Sequence, residues 1–357
     1  MEQTKIRQSN MELLRIIAMI LVLALHVNYL ALGAPSIEEI KSSPLSSFFR
    51  IEFEAMALVC VNVFVLISGY FGIKPKFKSI ANFIFQIVFF QFVIYIAFVG
   101  GGRIEFSWYG FIKNILPQKM WFIWAYLGLM LLAPVLNKFI DYATKEELRN
   151  YLFVFFVLQT VFGYLSSYWS WYTYGYSTIS FIGLYMLTRY IRLYSPQWTM
   201  LNGKVYLLGY FIITSAAAIF VFVMCRFINN ELIHSVLYNH FVPYTSVQTI
   251  LGSVFLLLYF SKLTICKKWI NWIAASAFSV YLIHANGNVL DIYTKVAKYI
   301  YESYNSIKYL FVISIFIVSV FLFCILFDKI RIAVWNVIIK IYEKCILKSS
   351  KYKFNDK

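Results

Sequence analysis

The chain has 357 residues, of which 61% are hydrophobic and only 13% charged, whereas about a quarter of the residues of a soluble domain are charged. A large water-soluble core is thereby excluded. The net charge of +16 does not indicate nucleic acid, because no basic-aromatic module of soluble type accompanies it. Basic loops facing anionic lipid account for a high pI in a membrane protein.

The apolar residues fall in blocks of roughly 17 to 24 separated by short polar stretches, the length a helix needs to cross about 30 Å of hydrocarbon. The predicted fold class is all-α, a polytopic integral membrane bundle of about ten transmembrane helices. In chain order the spans are expected at 11–32, 48–72, 80–99, 121–139, 149–166, 178–194, 205–224, 245–261, 272–290 and 309–328, the sixth and ninth being the weakest. Strands could cross only as a closed barrel with alternating polarity. The run from Phe311 to Phe323 is apolar at nearly every position instead, which favours helices. One transmembrane domain is expected over 1–345, followed by a short basic cytoplasmic tail at 346–357.

Sorting the 32 Lys and Arg residues over the connections gives an alternating pattern, with 22 in one set of segments and 9 in the other. The richer set includes Lys5 and Arg7, the lysines at 74, 76 and 78, and the tail from Lys329 onward. Because basic residues accumulate on the cytoplasmic side, both termini are expected in the cytoplasm. The remaining residue, Arg15, lies inside the first span. The segment from Lys5 to Gly33 also has the outline of a signal peptide. Its retention is argued from the ionisable residues within it.

No fixed-period repeat, low-complexity run or long linker appears. The uncharged outward loop Ser166–Tyr176 carries six aromatic residues, which suits the interfacial belt and, in a sharper reading, a platform on which sugars stack. Glu52 and Glu54, at the outer end of the second span, read as anchors. The five cysteines are scattered without a CxxC spacing, so neither a disulfide framework nor a zinc site is indicated. His234 and His240, in an outward loop without a further ligand at metal spacing, read as surface residues, and no metal is expected.

The first span carries the chemistry. Arg15 and His26 are eleven residues apart, about three helical turns, so they share one face at a separation of roughly 16 Å along the axis. Glu12 stands three residues before Arg15, close enough to pair with it and offset the cost of a guanidinium at the edge of hydrocarbon. An ionisable residue in a span is a functional candidate by default. His26, desolvated and neutral, is suited to take a proton from a hydroxyl nucleophile, and its alternative is a structural hydrogen bond to a neighbouring helix. Arg15 could equally be a snorkelling anchor.

Glu12-Leu-Leu-Arg-Ile-Ile-Ala followed by His26 resembles the first helix of the membrane-bound acyltransferase 3 family. Three further segments agree in order: Phe64-Val-Leu-Ile-Ser-Gly-Tyr-Phe71, the Trp/Tyr-to-Pro helix from Met120 to Pro134, and Ser279-Val-Tyr-Leu-Ile-His284. The resemblance implies transfer of an acyl group, usually acetyl from acetyl-CoA, to hydroxyls of surface glycans or lipid-linked sugars in the cell (inner or plasma) membrane. It implies that His26 and Arg15 are essential to transfer, as general base or acyl relay and as positioning cation, with Glu12 in support. No bound cofactor is expected, acyl-CoA being a substrate. Where the family often has an arginine-rich cytoplasmic stretch, Lys74, Lys76 and Lys78 stand as candidates for binding the donor, lacking the bidentate fork of arginine. Trp121, Tyr126, Tyr281 and His284 are assigned to the acceptor side. The expected partners are membrane lipid, acyl-CoA and a glycan or lipid-linked sugar.

Two other functions need the same architecture. A flippase for lipid-linked oligosaccharide would show paired broken helices in the two halves of the chain, and none is visible. A glycan polymerase would normally need a large outward loop with catalytic arginines or acids, and the outward loops here are short.

Overall fold

The computed structural model describes residues 8–117, 120–165, 171–228, 230–241, 243–304 and 306–355, and these are helical almost throughout, with no strand among them. Six of the helices are long and apolar enough to cross a membrane: Ser9–Ala31, Pro44–Phe71, Phe77–Gly100, Trp121–Tyr142, Gly203–Phe227 and Ile307–Lys344.

The chain begins with α1 (Ser9–Leu25), which runs on through a π-helical turn at His26–Ala31. A short α2 (Ile37–Ser42) follows, started by a reciprocal capping box in which Ser36 accepts from the Glu39 amide and Glu39 accepts from the Ser36 amide. Next come α3 (Pro44–Ala57) and α4 (Val59–Phe71), which form one rod bent at Leu58. The rod stops at Gly72, whose φ of 75° only glycine adopts without cost. The middle of the chain supplies α5 (Phe77–Gly100), the short α6 (Trp108–Ile115), α7 (Trp121–Tyr142), α8 (Lys145–Leu165) and α9 (Thr178–Tyr194). The last third supplies α10 (Gly203–Phe227), α11 (Glu231–Phe241), α12 (Val247–Ser261), α13 (Lys268–Ala274), α14 (Ala277–His284), α15 (Gly287–Ser303) and α16 (Ser306–Asn355).

The six long apolar helices match the first, second, third, fourth, seventh and tenth expected spans. Two of the other four fall on α9, with 17 residues, and α12, with 15, each short for a bilayer crossing. The stretch expected at 272–290 as one helix is three pieces, α13, α14 and the start of α15. Asn286-Gly287 causes the second break: the Asn286 side chain accepts from the Asn288 amide at 3.1 Å and restarts the helix as α15. Averaged hydropathy passes over such a pair. The stretch expected as a separate tail continues α16 as helix through Asn355.

At the centre of the bundle, α1 packs against α4, α12, α13 and α14, while α4 is sandwiched between α9 and α12. Met11, Leu14, Ala18 and Leu23 of α1 are completely buried, as are Val59, Val63, Val65 and Leu66 of α4. In lipid the gain from association is packing rather than removal of apolar area from water, so close backbone approach matters most. Gly69 is where it is closest: a Cβ there would lie 2.6 Å from the Tyr185 carbonyl oxygen and 3.0 Å from Thr188 Cβ. The α4–α9 crossing therefore requires glycine. At the other side, Asp328 and Arg331 of α16 form a buried bidentate pair with contacts of 2.7 and 3.1 Å, and Arg331 also donates to Asn82 of α5 at 3.2 Å. That network fastens α16 to α5 by charge-assisted hydrogen bonds.

Replacing Gly69 by Val is expected to force α4 off α9 and destabilise the fold by about 1–3 kcal/mol. Thermal unfolding of the purified variant in detergent, compared with wild type, reads the loss directly.

Candidate active site

The first helix is held at both ends before it presents any chemistry. Near its start, Asn10 Nδ2 donates to the Phe260 carbonyl at 2.9 Å, and Ser9 Oγ accepts from the Lys267 amide at 3.0 Å. One turn later Glu12, 6% exposed, forms the salt bridge to Arg15 expected from their spacing. The carboxylate lies behind the guanidinium, whose side chain is 29% exposed. Toward the other end, Tyr293 of α15 donates to the Leu23 carbonyl at 2.9 Å.

At His26 the helix widens into its π turn, a distortion that re-aims the side chains it carries. His26 Nδ1 lies 2.9 Å from His284 Nε2, and His284 Nδ1 lies 2.5 Å from the carbonyl oxygen of Val280, one turn back on α14. A carbonyl can only accept, so His284 Nδ1 carries a proton. In a neutral His284 its Nε2 is then an acceptor. His26 Nδ1 must therefore donate, and a neutral His26 is left with an unprotonated Nε2. His284 is completely buried and serves as the orienting partner of His26.

His26 and Arg15 line the same cavity of about 300 Å³, between α1, α4, α5, α7 and α14. Trp121, Tyr126 and Tyr281 are also on its wall. Ser68 Oγ donates to the Phe64 carbonyl at 2.9 Å, so its contact of 3.0 Å with Tyr126 is one in which the tyrosine hydroxyl donates. Gln86, buried on the same wall, donates to Ser279 Oγ of α14 at 2.6 Å. The cavity is thus apolar with a few fixed polar groups, the usual make-up of a small-molecule site.

Not every candidate meets there. His284 stands behind His26 rather than on the wall. Lys74, Lys76 and Lys78 are exposed and none lines the cavity, Lys78 pairing instead with Glu343 at 3.2 Å. His234 lies in α11 and bonds the Pro35 carbonyl at 2.9 Å, while the side chain of His240 falls outside the described residues. The aromatic loop at 166–176 is described from Trp171 onward. Glu54, read as an anchor, is 2% exposed and accepts from Asn28 Nδ2 at 3.3 Å.

Sequence reasoning missed two groups. The histidine pair joins residues far apart in the chain, and only the common polarity of two intramembrane histidines could have raised it. On α9, Arg189 has a buried Nε with no hydrogen-bond partner among the described residues, and its guanidinium reaches toward Gly72, while Arg192 lies 4.7 Å over the ring of Tyr70. Their spacing of three residues was the available signal, absorbed into the charge count of a loop.

The family model described as an acyltransferase domain matches residues 8–329. The chain belongs to the acyltransferase 3 family. No curated protein and no solved structure matches it. This acyltransferase is a membrane protein, given its six long apolar helices, and its matched region contains α1 and the whole cavity.

For the acyltransferase, His284→Ala removes the acceptor that holds His26 Nδ1. The expected result is a fall in kcat of about 10²- to 10⁴-fold, the range attributable to a positioned acid–base group. KM for the donor should stay near the wild-type value. Steady-state kinetics on purified protein separate the two terms, and an equal rise in KM would point to collapse of the cavity instead.

Proposed function

We propose that this acyltransferase moves an acetyl group from acetyl-CoA to a hydroxyl of a cell-surface polysaccharide or its lipid-linked precursor. The observation that carries the reading is the hydrogen-bonded pair His26–His284 on a cavity shared with Arg15. In the reaction His26 Nε2 takes the proton of the sugar hydroxyl as its oxygen attacks the thioester carbonyl carbon. The carbon–sulfur bond then breaks, and the proton passes from His26 to the departing thiolate. His284 and the Val280 carbonyl hold the ring and its tautomer throughout. Arg15, itself held by Glu12, positions the anionic or carbonyl part of the donor.

The chain is proposed to cross an inner or plasma membrane ten times with both termini in the cytoplasm, a placement supported by the 22 to 9 division of basic residues. The donor then approaches from the end of α1 that carries Arg15, and the acceptor from the end that carries His26. Arg189 and Arg192 join Lys74 and Lys76 near the end of α4 as binders of the donor's phosphates. The arginines offer the bidentate fork the lysines lack. Trp121, Tyr126 and Tyr281 line the path of the acyl group and the acceptor.

Glycan acetyl content in cells carrying wild type, His26→Ala or Arg15→Ala at matched membrane levels tests the proposal. Acetylation is expected to vanish with His26→Ala and to drop by about tenfold or more with Arg15→Ala. Undiminished acetylation with His26→Ala would remove the proposed chemistry.

A further inference from the structure

Beside the cavity that holds His26 lies a second one of about 430 Å³. Leu25 and Tyr244 line both, so the two cavities adjoin at the helix turn just before His26 and at the Tyr244 ring. The second cavity opens at the end of α1 remote from Arg15, between the π turn, α3, α11 and the segment before α9. We infer that it is the subsite for a neutral pyranose unit of the acceptor, an inference that rests on the acetyl-transfer reading.

Three features of its wall fit a sugar. The first is a set of aromatic faces: the rings of Tyr29 and Tyr176 are 47% and 42% exposed, and Tyr174 stands beside them. A pyranose presents C–H bonds, slightly positive at hydrogen, on a flat face, and the electron-rich face of an aromatic ring attracts them. The second is hydrogen-bonding capacity without a partner. Among the described residues, Glu54 accepts a side-chain hydrogen bond from Asn28, and the buried Tyr238 Oη has no hydrogen-bond partner. A carboxylate and a phenol are the groups that pair with sugar hydroxyls, and an orphaned buried hydroxyl is a place where a ligand supplies the missing bond. The third is charge: among the described residues no Lys or Arg lines this wall, so it offers no guanidinium or ammonium to pair with a phosphate or a uronic acid.

The backbone beside these rings is also held in an uncommon form. Thr173 and Tyr174 have φ of 43° and 54°, a conformation that non-glycine residues adopt at a cost and that concentrates at ligand sites. The turn is locked by the Gly175 amide donating to the Tyr172 carbonyl at 2.7 Å. Tyr174 is thereby presented to the cavity by the turn that precedes α9.

The test uses the purified full-length protein in lipid nanodiscs, with neutral methyl hexopyranosides and methyl glucuronide as probes. Saturation-transfer NMR reads weak binding to wild type, Glu54→Gln, Tyr238→Phe and His26→Ala. At least one neutral glycoside should bind wild type and His26→Ala equally well, and more tightly than the glucuronide does. Both Glu54→Gln and Tyr238→Phe should bind it about tenfold more weakly, and in acetyl-transfer assays their KM for it should rise by the same factor. Matching elution and thermal unfolding would establish that the variants fold. The inference is overturned if wild type binds no neutral glycoside, if the glucuronide is preferred, or if both variants keep wild-type affinity and KM. Binding without acetyl transfer by wild type would instead overturn the transfer reading and leave the subsite standing. Transfer with an unaltered KM in both variants would do the reverse.

Discussion

The site depends on one hydrogen bond between two imidazoles that come from opposite ends of the chain. His26 and His284 meet at 2.9 Å inside a bundle where water is scarce, and each ring nitrogen needs a defined role. The Val280 carbonyl fixes the first proton, and the remaining protons follow along the chain of contacts. A histidine without such a partner would exchange tautomers and turn about χ2. Held by His284, a neutral His26 keeps Nε2 unprotonated on a side chain that lines the cavity.

His284 ends a short helix that lies between two breaks, and breaks at membrane depth must be satisfied by protein rather than by lipid. The region from α13 to α15 shows how. Lys329 Nζ donates both to the Trp272 carbonyl and to Ser276 Oγ, each at 2.8 Å, at the first break. At the second, Asn286 Nδ2 donates to Gln91 Oε1 at 2.7 Å, and Gln86 bonds Ser279 between the two breaks. Polar residues of α5 and α16 thus support the irregular backbone that carries His284. The same logic explains the π turn at His26, which widens the first helix where the two cavities adjoin.

Much of this was legible in the sequence because the bilayer makes length and polarity informative. The first, second, third, fourth, seventh and tenth spans are long apolar blocks, and each is a long helix. Arg15 and His26 could be put on one face because helical geometry relates residues eleven apart regardless of context, and both do line one cavity. What could not be read are relations across helices. Nothing local to His284 says that it backs His26 rather than facing the acceptor. Glu54 looks like an interfacial anchor until its burial beside Asn28 is seen. Arg189 looks like one more cytoplasmic charge until Gly72 is found against its guanidinium. The broken ninth element failed for a different reason: a window long enough to find a span averages over the Asn-Gly pair that ends it.

The two cavities differ in kind, and the difference bears on which substrate of the proposed transfer each would suit. The cavity with His26 joins one guanidinium to a mainly apolar wall, suited to a short acyl thioester whose charge is carried at a distance. The neighbouring one joins a carboxylate to tyrosines, suited to hydroxyls. Among the described residues only Leu25 and Tyr244 are common to both walls, and the imidazole that follows Leu25 sits beside them. In the proposed reaction the attacking oxygen must touch the thioester carbon, so an acceptor seated in the second cavity has to extend past Leu25 and Tyr244 into the cavity where His26 takes its proton. The proposed transfer therefore favours an acceptor long enough to reach round the turn at His26, where Leu25 and Tyr244 belong to both walls.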